Sequence, residues 1–392
     1  MDILKLRSTR RNAALFVVLL SGVDLLADFT YEGARSISGP FLALLGASGT
    51  VVGVTAGLGE FLGYALRLVS GTIADRTHRY WFITITGYCV NLFCVPFLAL
   101  AGQWPLAAAL LITERTGRAI RVPPRDAMLS YATREVGRGW GFGLHEAADQ
   151  TGAVLGPIFL AVMVHYKYGY RTGLAYLAIS AVLAVSLLLF TSRLYPHPEN
   201  LEIRNLEGHP KGFEGSFWFY IAAMAFIAAG YADFPLMAYH FQKTSRFTLS
   251  QIPLIYSLGM GTHAMAAPVF GGLYDRIGLR VSLAGALLSC FFAPLVFWGT
   301  GSLIILGIAL WGIGLGAAEA VMRAAVAVLS PADRRGTAYG IFNAGYGIAW
   351  FMGSALMGWL YDRSLVGLVS FSIVIQLAAV PFLLKACQKM KP

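Results

Sequence analysis

Long apolar stretches follow one another along nearly the whole chain, and this feature most limits its possible folds. We count twelve such stretches, and an α-helix of roughly 20 apolar residues crosses a bilayer. Of the 392 residues only 13% are charged, about half the share of roughly 25% in soluble domains. The sequence therefore predicts an all-α integral membrane protein with twelve transmembrane helices. The predicted spans 1 to 12 are 12–38, 48–70, 80–100, 103–124, 138–164, 171–192, 216–241, 249–272, 280–299, 302–326, 336–360 and 365–386.

The net charge of +10 is distributed unevenly between the two sets of loops. Basic residues precede span 1, follow spans 2, 6, 8, 10 and 12, and surround the link between spans 4 and 5, where Arg121 and Arg125 stand. Since basic loops mark the cytoplasmic side, we expect both termini in the cytoplasm and the protein in the cytoplasmic membrane. The charge then reflects topology, and we expect the partners to be the lipid bilayer and no nucleic acid. The other loops hold only Lys167, Arg171, Lys243, Arg246 and Arg363.

Two short motifs recur at nearly the same distance along the chain. The sequence "GTIADR" at Gly71 returns as "GGLYDR" at Gly271, 200 positions later. The sequence "RGWGFG" at Arg138 returns as "RGTAYG" at Arg335, 197 positions later. Matching offsets indicate two homologous halves of six helices each.

The repeat also predicts the domain boundaries. The segment after the second motif continues in parallel, so that Gly156 falls opposite Gly353. We expect a six-helix bundle over 1–192, a polar cytoplasmic linker over 193–215 and a second six-helix bundle over 216–392. Parallel repeats in a membrane place the substrate path at their interface.

Span 1 carries an unusual row of ionisable residues. Asp24, Asp28, Glu32 and Arg35 share one face of a helix because they recur every three or four residues. An ionisable residue inside a span costs roughly 2.5–3.5 kcal/mol, so such residues usually line a functional path. Three carboxylates this close would repel one another if all were ionised, and this favours a shared proton. We therefore expect proton coupling there, with Asp28 and Glu32 as carriers.

Other intramembrane polar residues belong to the same hypothesis. The alternative is a structural cluster in which bases of span 4, such as Arg115 and Arg118, hold the acids of span 1. The further candidates for the proton or transport path are Glu60, Glu114, Arg115, Arg118, His145, Glu146 and Asp149.

A Met-x-x-His pattern occurs twice, in spans 7 and 8. It comprises Met237 with His240, and Met260 with His263. Thioether and imidazole ligands together suit copper, so a metal ion or metal complex is an alternative substrate. Methionine is also common in membrane cores, where it packs adaptably.

Enzyme classes find little support in the sequence. No phosphate-binding loop and no nucleophile–base arrangement stands out, so we expect neither an enzyme nor a primary pump. The cysteines, Cys89, Cys94, Cys290 and Cys387, have no metal-ligand spacing, and we expect no cofactor.

The repeated loop motif resembles the signature of the major facilitator superfamily, Gly-x-Leu-Ala-Asp-Arg-x-Gly-Arg-Lys between helices 2 and 3. The resemblance covers nearly the whole chain and implies two six-helix bundles that transport a small molecule by alternating access. It also implies that these loops gate the path, although Asp75 and Asp275 could simply end helices in basic turns. The matching residues are Gly71, Asp75, Arg76 and Arg79 in the first copy and Gly271, Asp275 and Arg276 in the second.

Span 5 resembles the helix 5 motif of antiporters in that superfamily, Gly-x8-Gly-x3-Gly-Pro. Gly143, Gly152, Gly156 and Pro157 fit that spacing. The resemblance implies antiport, whereas Gly152 and Gly156 could equally be a helix-packing pair of small residues.

Within the superfamily, the chain more closely resembles a largely uncharacterised prokaryotic branch. The residues that carry it are Asp28 and Glu32, "RTGRAIRVPPRD" from Arg115 to Asp126, and "FGLH" from Phe142 to His145. Our leading hypothesis is a proton-coupled antiporter that exports a small molecule. The alternatives are an importer of a metal ion or metal complex and a membrane receptor that transports nothing.

Overall fold

The computed structural model describes residues 2–136, 138–197, 215–329 and 335–389, and most of these residues are helical. The first helices are α1 (Asp2–Leu44), α2 (Gly49–Thr77), α3 (Tyr80–Phe97), α4 (Trp104–Val136), α5 (Arg138–His165) and α6 (Gly169–Leu194). The others are α7 (Gly215–Gly230), α8 (Phe234–Lys243), α9 (Gln251–Ile277), α10 (Val281–Ser289), α11 (Phe292–Phe297), α12 (Ser302–Leu329), α13 (Arg335–Arg363) and α14 (Leu365–Lys389). The described ranges contain no strand, which agrees with the predicted all-α fold.

Nine segments of the described ranges are long and apolar enough to cross a membrane. One of them, Gln251–Phe297, has 47 residues and is long enough to cross twice. α4 is not among the nine, because Glu114, Arg115 and Arg118 interrupt its apolar residues. The all-α membrane fold is confirmed, while the count of twelve crossings stays a prediction.

Two predicted spans are interrupted. Span 7 was expected to be continuous over 216–241, but α7 ends at Gly230 and α8 begins at Phe234. Pro235 lies in the first turn of α8, where its missing N–H costs nothing. The carbonyl of Gly230 accepts hydrogen bonds from Ser372 Oγ at 2.6 Å and Gln376 Nε2 at 3.1 Å. These bonds satisfy a backbone group that the break would otherwise leave unpaired in the membrane.

Span 9 was likewise expected as one helix over 280–299. The chain instead forms a 3₁₀ turn, Gly278–Arg280, followed by α10 and α11 with Cys290 and Phe291 between them. The Sγ of Cys290 donates to the carbonyl of Ala286 at 3.1 Å, within the last turn of α10.

The repeat is visible in how the helices cross. In α5, a Cβ at Gly156 would overlap the carbonyl of Phe29 in α1. In α13, a Cβ at the equivalent Gly353 would overlap the carbonyl of Ala229 in α7. Each glycine therefore lets its helix touch the first helix of its own repeat. This packing supports the two-repeat interpretation, and the domain bounds stay a prediction because linker residues 198–214 lie outside the described ranges.

One end of the helix assembly is closed by contacts between the two repeats. The N-terminal turns of α2 pack on the last turns of α13, where a Cβ at Gly53 would overlap the carbonyl of Ser354. Between α5 and α9, Ser257 Oγ donates to the carbonyl of Val154 at 2.8 Å. Tyr170 Oη donates to the carbonyl of Leu249 at 2.8 Å.

At the closed end, Asp362 of α13 caps the N-terminus of α2. Its Oδ1 accepts from the Gly49 N–H at 2.9 Å, and its Oδ2 accepts from the Thr50 N–H at 2.7 Å and from Thr50 Oγ1 at 2.6 Å. Asp362 is exposed and lies beyond the predicted span 336–360. Partial burial opposes its ionisation, but the hydrogen bonds from Thr50 and Gly49 hold the pKa of Asp362 below its ordinary value. We call this contact the Asp362 cap.

The other end of the assembly is open. A cavity of about 1020 Å³ extends from Arg35 and Trp350 in the middle of the chain's helices to Gly71, Thr72 and Asp75 at the end of α2. Its volume is at the upper end of the range of roughly 300–1,000 Å³ that small-molecule sites occupy.

Candidate functional site

Arg35 lies at the inner end of the cavity and contacts three carboxylates. Its Nη2 donates to Glu60 Oε1 of α2 at 2.9 Å and to Asp233 Oδ1 at 3.3 Å. Its Nη1 lies 3.8 Å from Oε1 of Glu32, three residues earlier on the same face of α1. One guanidinium group therefore joins acids of α1 and α2 to an acid of the second repeat.

Asp233 occupies the break between α7 and α8 and is almost fully buried. Its Oδ2 accepts from Trp350 Nε1 at 2.7 Å and from Ser354 Oγ at 3.2 Å, both in α13. The break thus places the Asp233 carboxylate against the guanidinium group of Arg35, while α13 holds the carboxylate through these two hydrogen bonds.

A chain of polar contacts runs from Arg35 through the first repeat. Arg115 lies 3.7 Å from Glu60 and 3.4 Å from Glu114. Asn91 Nδ2 donates to Glu114 Oε1 at 2.6 Å, and its Oδ1 accepts from Arg121 Nε at 3.1 Å. These polar contacts connect Arg35 with the acids near the start of the row of ionisable residues in α1.

Asp24 is fully buried and held by bases of α4. Its Oδ1 accepts from Arg121 Nη1 at 2.6 Å, from Arg125 Nη1 at 2.7 Å and from Tyr88 Oη at 2.5 Å. These are charge-assisted bonds to an ionised carboxylate, which suits a fixed anchor better than a group that exchanges protons. Arg121 and Arg125, which the sequence placed with the loop charges, are instead buried ion-pair partners inside α4.

Asp28 and Glu32 are less tightly held than Asp24. Among the described residues Asp28 contacts one base, Arg121, whose Nη2 lies 3.6 Å from Asp28 Oδ1. Glu32 accepts a hydrogen bond from Tyr256 Oη of α9, in the second repeat, besides its distant contact with Arg35. Both side chains line the cavity, and both can gain or lose a proton without breaking a short ion pair.

The polar residues of α5 line the cavity opposite α4. His145 Nε2 lies 3.5 Å from Asp24 Oδ2 and 3.9 Å from Asp149 Oδ2, so the imidazole lies between a buried and a cavity-lining acid. Glu146 accepts from Gln150 Nε2 at 3.1 Å, one turn along the helix. Donor atoms of Asp24, His145 and Asp149 come within 4.8 Å of one another. The two guanidinium groups already bound to Asp24 make this place unfavourable for a cation.

The loop residues of the resemblance lie at the open end. Asp75 Oδ1 accepts from Tyr80 Oη at 3.2 Å, within its own loop. Gly71 and Asp75 line the mouth of the cavity, whereas Arg76, Arg79, Asp275 and Arg276 are exposed. Gly271 lies partly exposed in α9, with free space around its Cα.

The helix 5 motif is divided between two environments. Gly152 and Gly156 face α1, where added Cβ atoms would overlap the carbonyls of Leu25 and Phe29. Gly143 has free space around it, and Pro157 lies inside α5. The packing pair accounts for two of the four residues, and an antiport role for the motif stays a prediction.

The Met-x-x-His residues have separate surroundings. His240 Nδ1 is 3.1 Å from Tyr361 Oη near the closed end, and Met237 is buried in the core. His263 Nε2 lies 3.4 Å from Glu319 Oε2, and His263 and Met260 both line the cavity. Each histidine thus has a polar partner of its own, which does not favour metal transport.

Asp233 stands out in the sequence as an ionisable residue inside predicted span 7, but the helix break around it was not predicted, although Gly230 and Pro235 flank it and signal a break. Other residues of the site were missed altogether. Tyr88, Asn91 and Tyr256 carry no sequence signal, since only tertiary packing brings their polar atoms to the acids.

The helical membrane fold and the polar cavity between its two repeats define a protein of the transporter class, not an enzyme. The family model described as Major Facilitator Superfamily matches residues 25–354, and the chain belongs to that superfamily.

Relatives extend along most of the chain. An uncharacterized protein of Mycobacterium tuberculosis is 40% identical over 371 residues, covering 93% of this chain and 91% of its own length. An uncharacterized MFS-type transporter of Methanocaldococcus jannaschii is 27% identical over 363 residues, covering 89% of each chain. The multidrug resistance protein MdtH of Photorhabdus laumondii is 32% identical over 149 residues, covering 37% of each.

The fold is also similar to solved structures. The nucleoside transporter NupG superposes with a TM-score of 0.72 at 13% sequence identity, covering 96% of this chain and 99% of its own. At this identity the similarity concerns the fold alone.

Proposed function

We propose that the protein is a proton-coupled antiporter that exports a small molecule across the cytoplasmic membrane by alternating access, with both termini inside the cell. In this orientation the open end, with Gly71 and Asp75, faces the cytoplasm and the Asp362 cap faces outward. The described state is then the one that loads substrate from the cell.

The observation that carries the proposal is the charge balance around Arg35. Within the described residues Glu32, Glu60, Glu114 and Asp233 form ion pairs with two bases, Arg35 and Arg115. Arg118 acts on Glu32, Glu60 and Glu114 without forming an ion pair. Negative charge that ion pairs do not fully compensate is costly where water is scarce. Protons are the simplest way to neutralise it, so proton binding at this cluster is the expected response.

Proton binding here would also change the contact between the two repeats. The Arg35–Asp233 ion pair and the Tyr256–Glu32 hydrogen bond both cross from one repeat to the other. Adding a proton to Glu32 or Asp233 removes a charge that holds these contacts. A ligand shifts a conformational equilibrium only through its different affinity for the two states, and these contacts provide such a difference for the proton.

Export is favoured by the partial similarity to a multidrug resistance protein and by the resemblance of the helix 5 motif to that of antiporters. Antiport further requires that protons and substrate exclude one another from the site. Asp28 and Glu32 line the cavity where a substrate would bind, so such competition is geometrically possible.

The experiment is proton flux in reconstituted proteoliposomes that carry an internal pH dye. With an imposed pH gradient, addition of a transported compound should release protons down the gradient, and an ionophore should abolish compound accumulation. A panel of compounds is first selected by thermal shift, because a ligand that binds only the folded state raises its stability. Transport that proceeds at full rate without a gradient and moves no protons would exclude the antiport mechanism. Binding without any transport would favour a receptor.

A further inference from the structure

The arginines that line the cavity fall into two groups. Arg35, Arg121 and Arg125 bind carboxylates in the ion pairs described above. Arg67 and Arg118 make neither an ion pair nor a hydrogen bond with any residue that the structure describes, although both line the cavity. These two guanidinium groups are the feature that the proposed proton mechanism leaves unused.

Both of these arginines are stacked on tyrosine rings. The Cζ of Arg118 lies 4.7 Å from the ring centroid of Tyr31, and the Cζ of Arg67 lies 4.9 Å from that of Tyr64. A cation–π contact stabilises the positive charge, but a ring offers no oxygen atom to accept from the N–H groups. Each guanidinium group therefore keeps N–H donors that have no acceptor among the described residues. The buried Nε of Arg67 has no acceptor within the described residues.

The two groups also act on one another. Arg67 comes from α2 and Arg118 from α4, and their positive charges repel one another. Glu60 attracts both groups, and Asp28 and Glu32 also attract Arg118, but none of these carboxylates forms an ion pair with either arginine. An anion that reached both guanidinium groups would reduce their repulsion and accept from their free N–H donors. Carboxylates and phosphates match the fork of a guanidinium with paired hydrogen bonds.

We propose that Arg67 and Arg118 hold an anionic group, a carboxylate or a phosphate, of the transported molecule. The inference rests on the proposed function only in assuming that the cavity admits a substrate, and it is independent of proton coupling and of direction. Asp28, Glu146 and Asp149 line the same cavity, and their carboxylates suit a basic group of the same molecule. Such a basic group would compete with protons, as antiport requires.

Binding of simple anions to the purified protein tests the proposal without knowledge of the substrate. The melting temperature in detergent is measured against inorganic phosphate and against succinate, with sodium chloride keeping the ionic strength constant. We expect each anion to raise the melting temperature by about 2–4 °C when its concentration is about tenfold above its Kd. In the R67Q/R118Q double variant this rise should disappear.

A matched control is available outside the cavity. Arg363 is exposed and stacks on Trp359, with its Cζ 5.7 Å from the ring centroid. R363Q should therefore keep the full response to both anions. If R67Q/R118Q does not fold, R67K and R118K serve instead. They keep the charge but lose the planar fork, so they should weaken both responses.

An anion response that persists in R67Q/R118Q, or that R363Q abolishes equally, would overturn the proposal. So would the absence of any response in the wild type. If anions bind but no compound drives proton flux, the anion site stands and the proposed antiport fails. If flux occurs without any anion response, the anion site alone fails.

Discussion

Arg35 Nη2 of α1 lies 3.3 Å from Asp233 Oδ1, in the break between α7 and α8, and this ion pair joins the two repeats at the inner end of the cavity. The side chain of Arg35 is 15% exposed and that of Asp233 is 2% exposed. At this depth each charge depends on the other for its stability.

We therefore predict that R35Q destabilises the protein by roughly 3–5 kcal/mol, because Asp233 then loses its base, and that D233N costs less, because Arg35 keeps its ion pair with Glu60. The R35Q/D233N double variant should lose less than the sum of the two single losses, because it no longer contains the unpaired Asp233 carboxylate that R35Q leaves. Melting temperatures of the three purified variants measure the coupling. Strictly additive losses would show that the two residues do not interact.

The Asp362 cap predicts a shift between conformations. Replacing an N-cap side chain by alanine costs about 0.5–2 kcal/mol, and this cap forms only when α2 and α13 are together. D362A should therefore increase labelling by an impermeant thiol reagent of a cysteine introduced at Ala47, next to the cap, in a background without native cysteines. K167Q, at an exposed position outside both the cap and the loop motifs, is the control and should not change this rate. Equal rates in D362A and wild type would contradict the role of the cap.

The cap also has a predicted pH dependence. Because the pKa of Asp362 is lowered when it is bound to Gly49 and Thr50, its contribution is complete above the ordinary aspartate pKa of about 3.9. It is lost only as the pH falls through the lowered value. Spectroscopic distance measurements across the closed end should thus be constant from neutral pH to about pH 5, and separation of α2 from α13 in that range would show that other groups control it.

The hypothesis that the acidic residues of α1, Asp24, Asp28 and Glu32, carry protons gives a separate prediction. D28N and E32Q should each abolish gradient-driven transport in proteoliposomes, because the substituted side chain no longer binds the coupling proton. Exchange of substrate at equal pH should persist, because the substituted side chain is neutral without a proton. Asp24 is an anchor for Arg121 and Arg125, so D24N should instead impair folding. Full gradient-driven transport by the D28N/E32Q double variant would exclude the proton role and indicate that these acids have a structural role.

Packing of α5 on α1 can be tested with a matched pair of glycines. In G156A the new Cβ would overlap the carbonyl of Phe29, so the two helices must separate and the melting temperature should fall by several degrees. Gly143 belongs to the same sequence motif but has free space around it, and G143A should leave the melting temperature unchanged or raise it. Equal effects would mean that close approach is not what Gly156 provides.

The loop resemblance predicts a gate at the open end. Asp75 contacts Tyr80 of its own loop in this state, so any contact with the second repeat must form when the cavity closes. D75N should slow transport far more than it weakens substrate binding. A contact made in only one state changes the populations of the open and closed states, and it does not touch the substrate. Comparing the transport rate with the substrate Kd distinguishes this from a direct substrate contact, which would reduce both equally.

Much of this architecture follows from sequence patterns because the bilayer restricts the possible structures. Length and apolar composition predict helices, and the i, i+4 spacing correctly places Asp24, Asp28 and Glu32 on one face of α1. The partners of these acids do not follow in the same way. In the alternative of a structural cluster, Arg115 and Arg118 were to hold these acids, but Arg115 binds Glu60 and Glu114, and Arg118 lies against Tyr31.

The difference arises from helix rotation and axial position, which local spacing does not encode. Arg121 and Arg125 reach Asp24 because close approach at Gly87 and Gly117 brings α3 and α4 together, and Tyr88 then completes the set. The break that positions Asp233 has a local signal in Gly230 and Pro235, but a prediction from apolar composition alone gives one continuous span there.

The glycine contact between α2 and α13 has a consequence for inhibitor discovery. At Gly53 the backbones of the two helices touch directly, so a single added methyl group is incompatible with the closed end as described. G53A would thus hold the molecules of a sample away from the described state, without a bound ligand or a chemical crosslink. Antibodies or compounds selected on that variant and on the wild type would recognise different states of the transport cycle. In the proposed orientation, those that recognise the end with the Asp362 cap need not enter the cell to act.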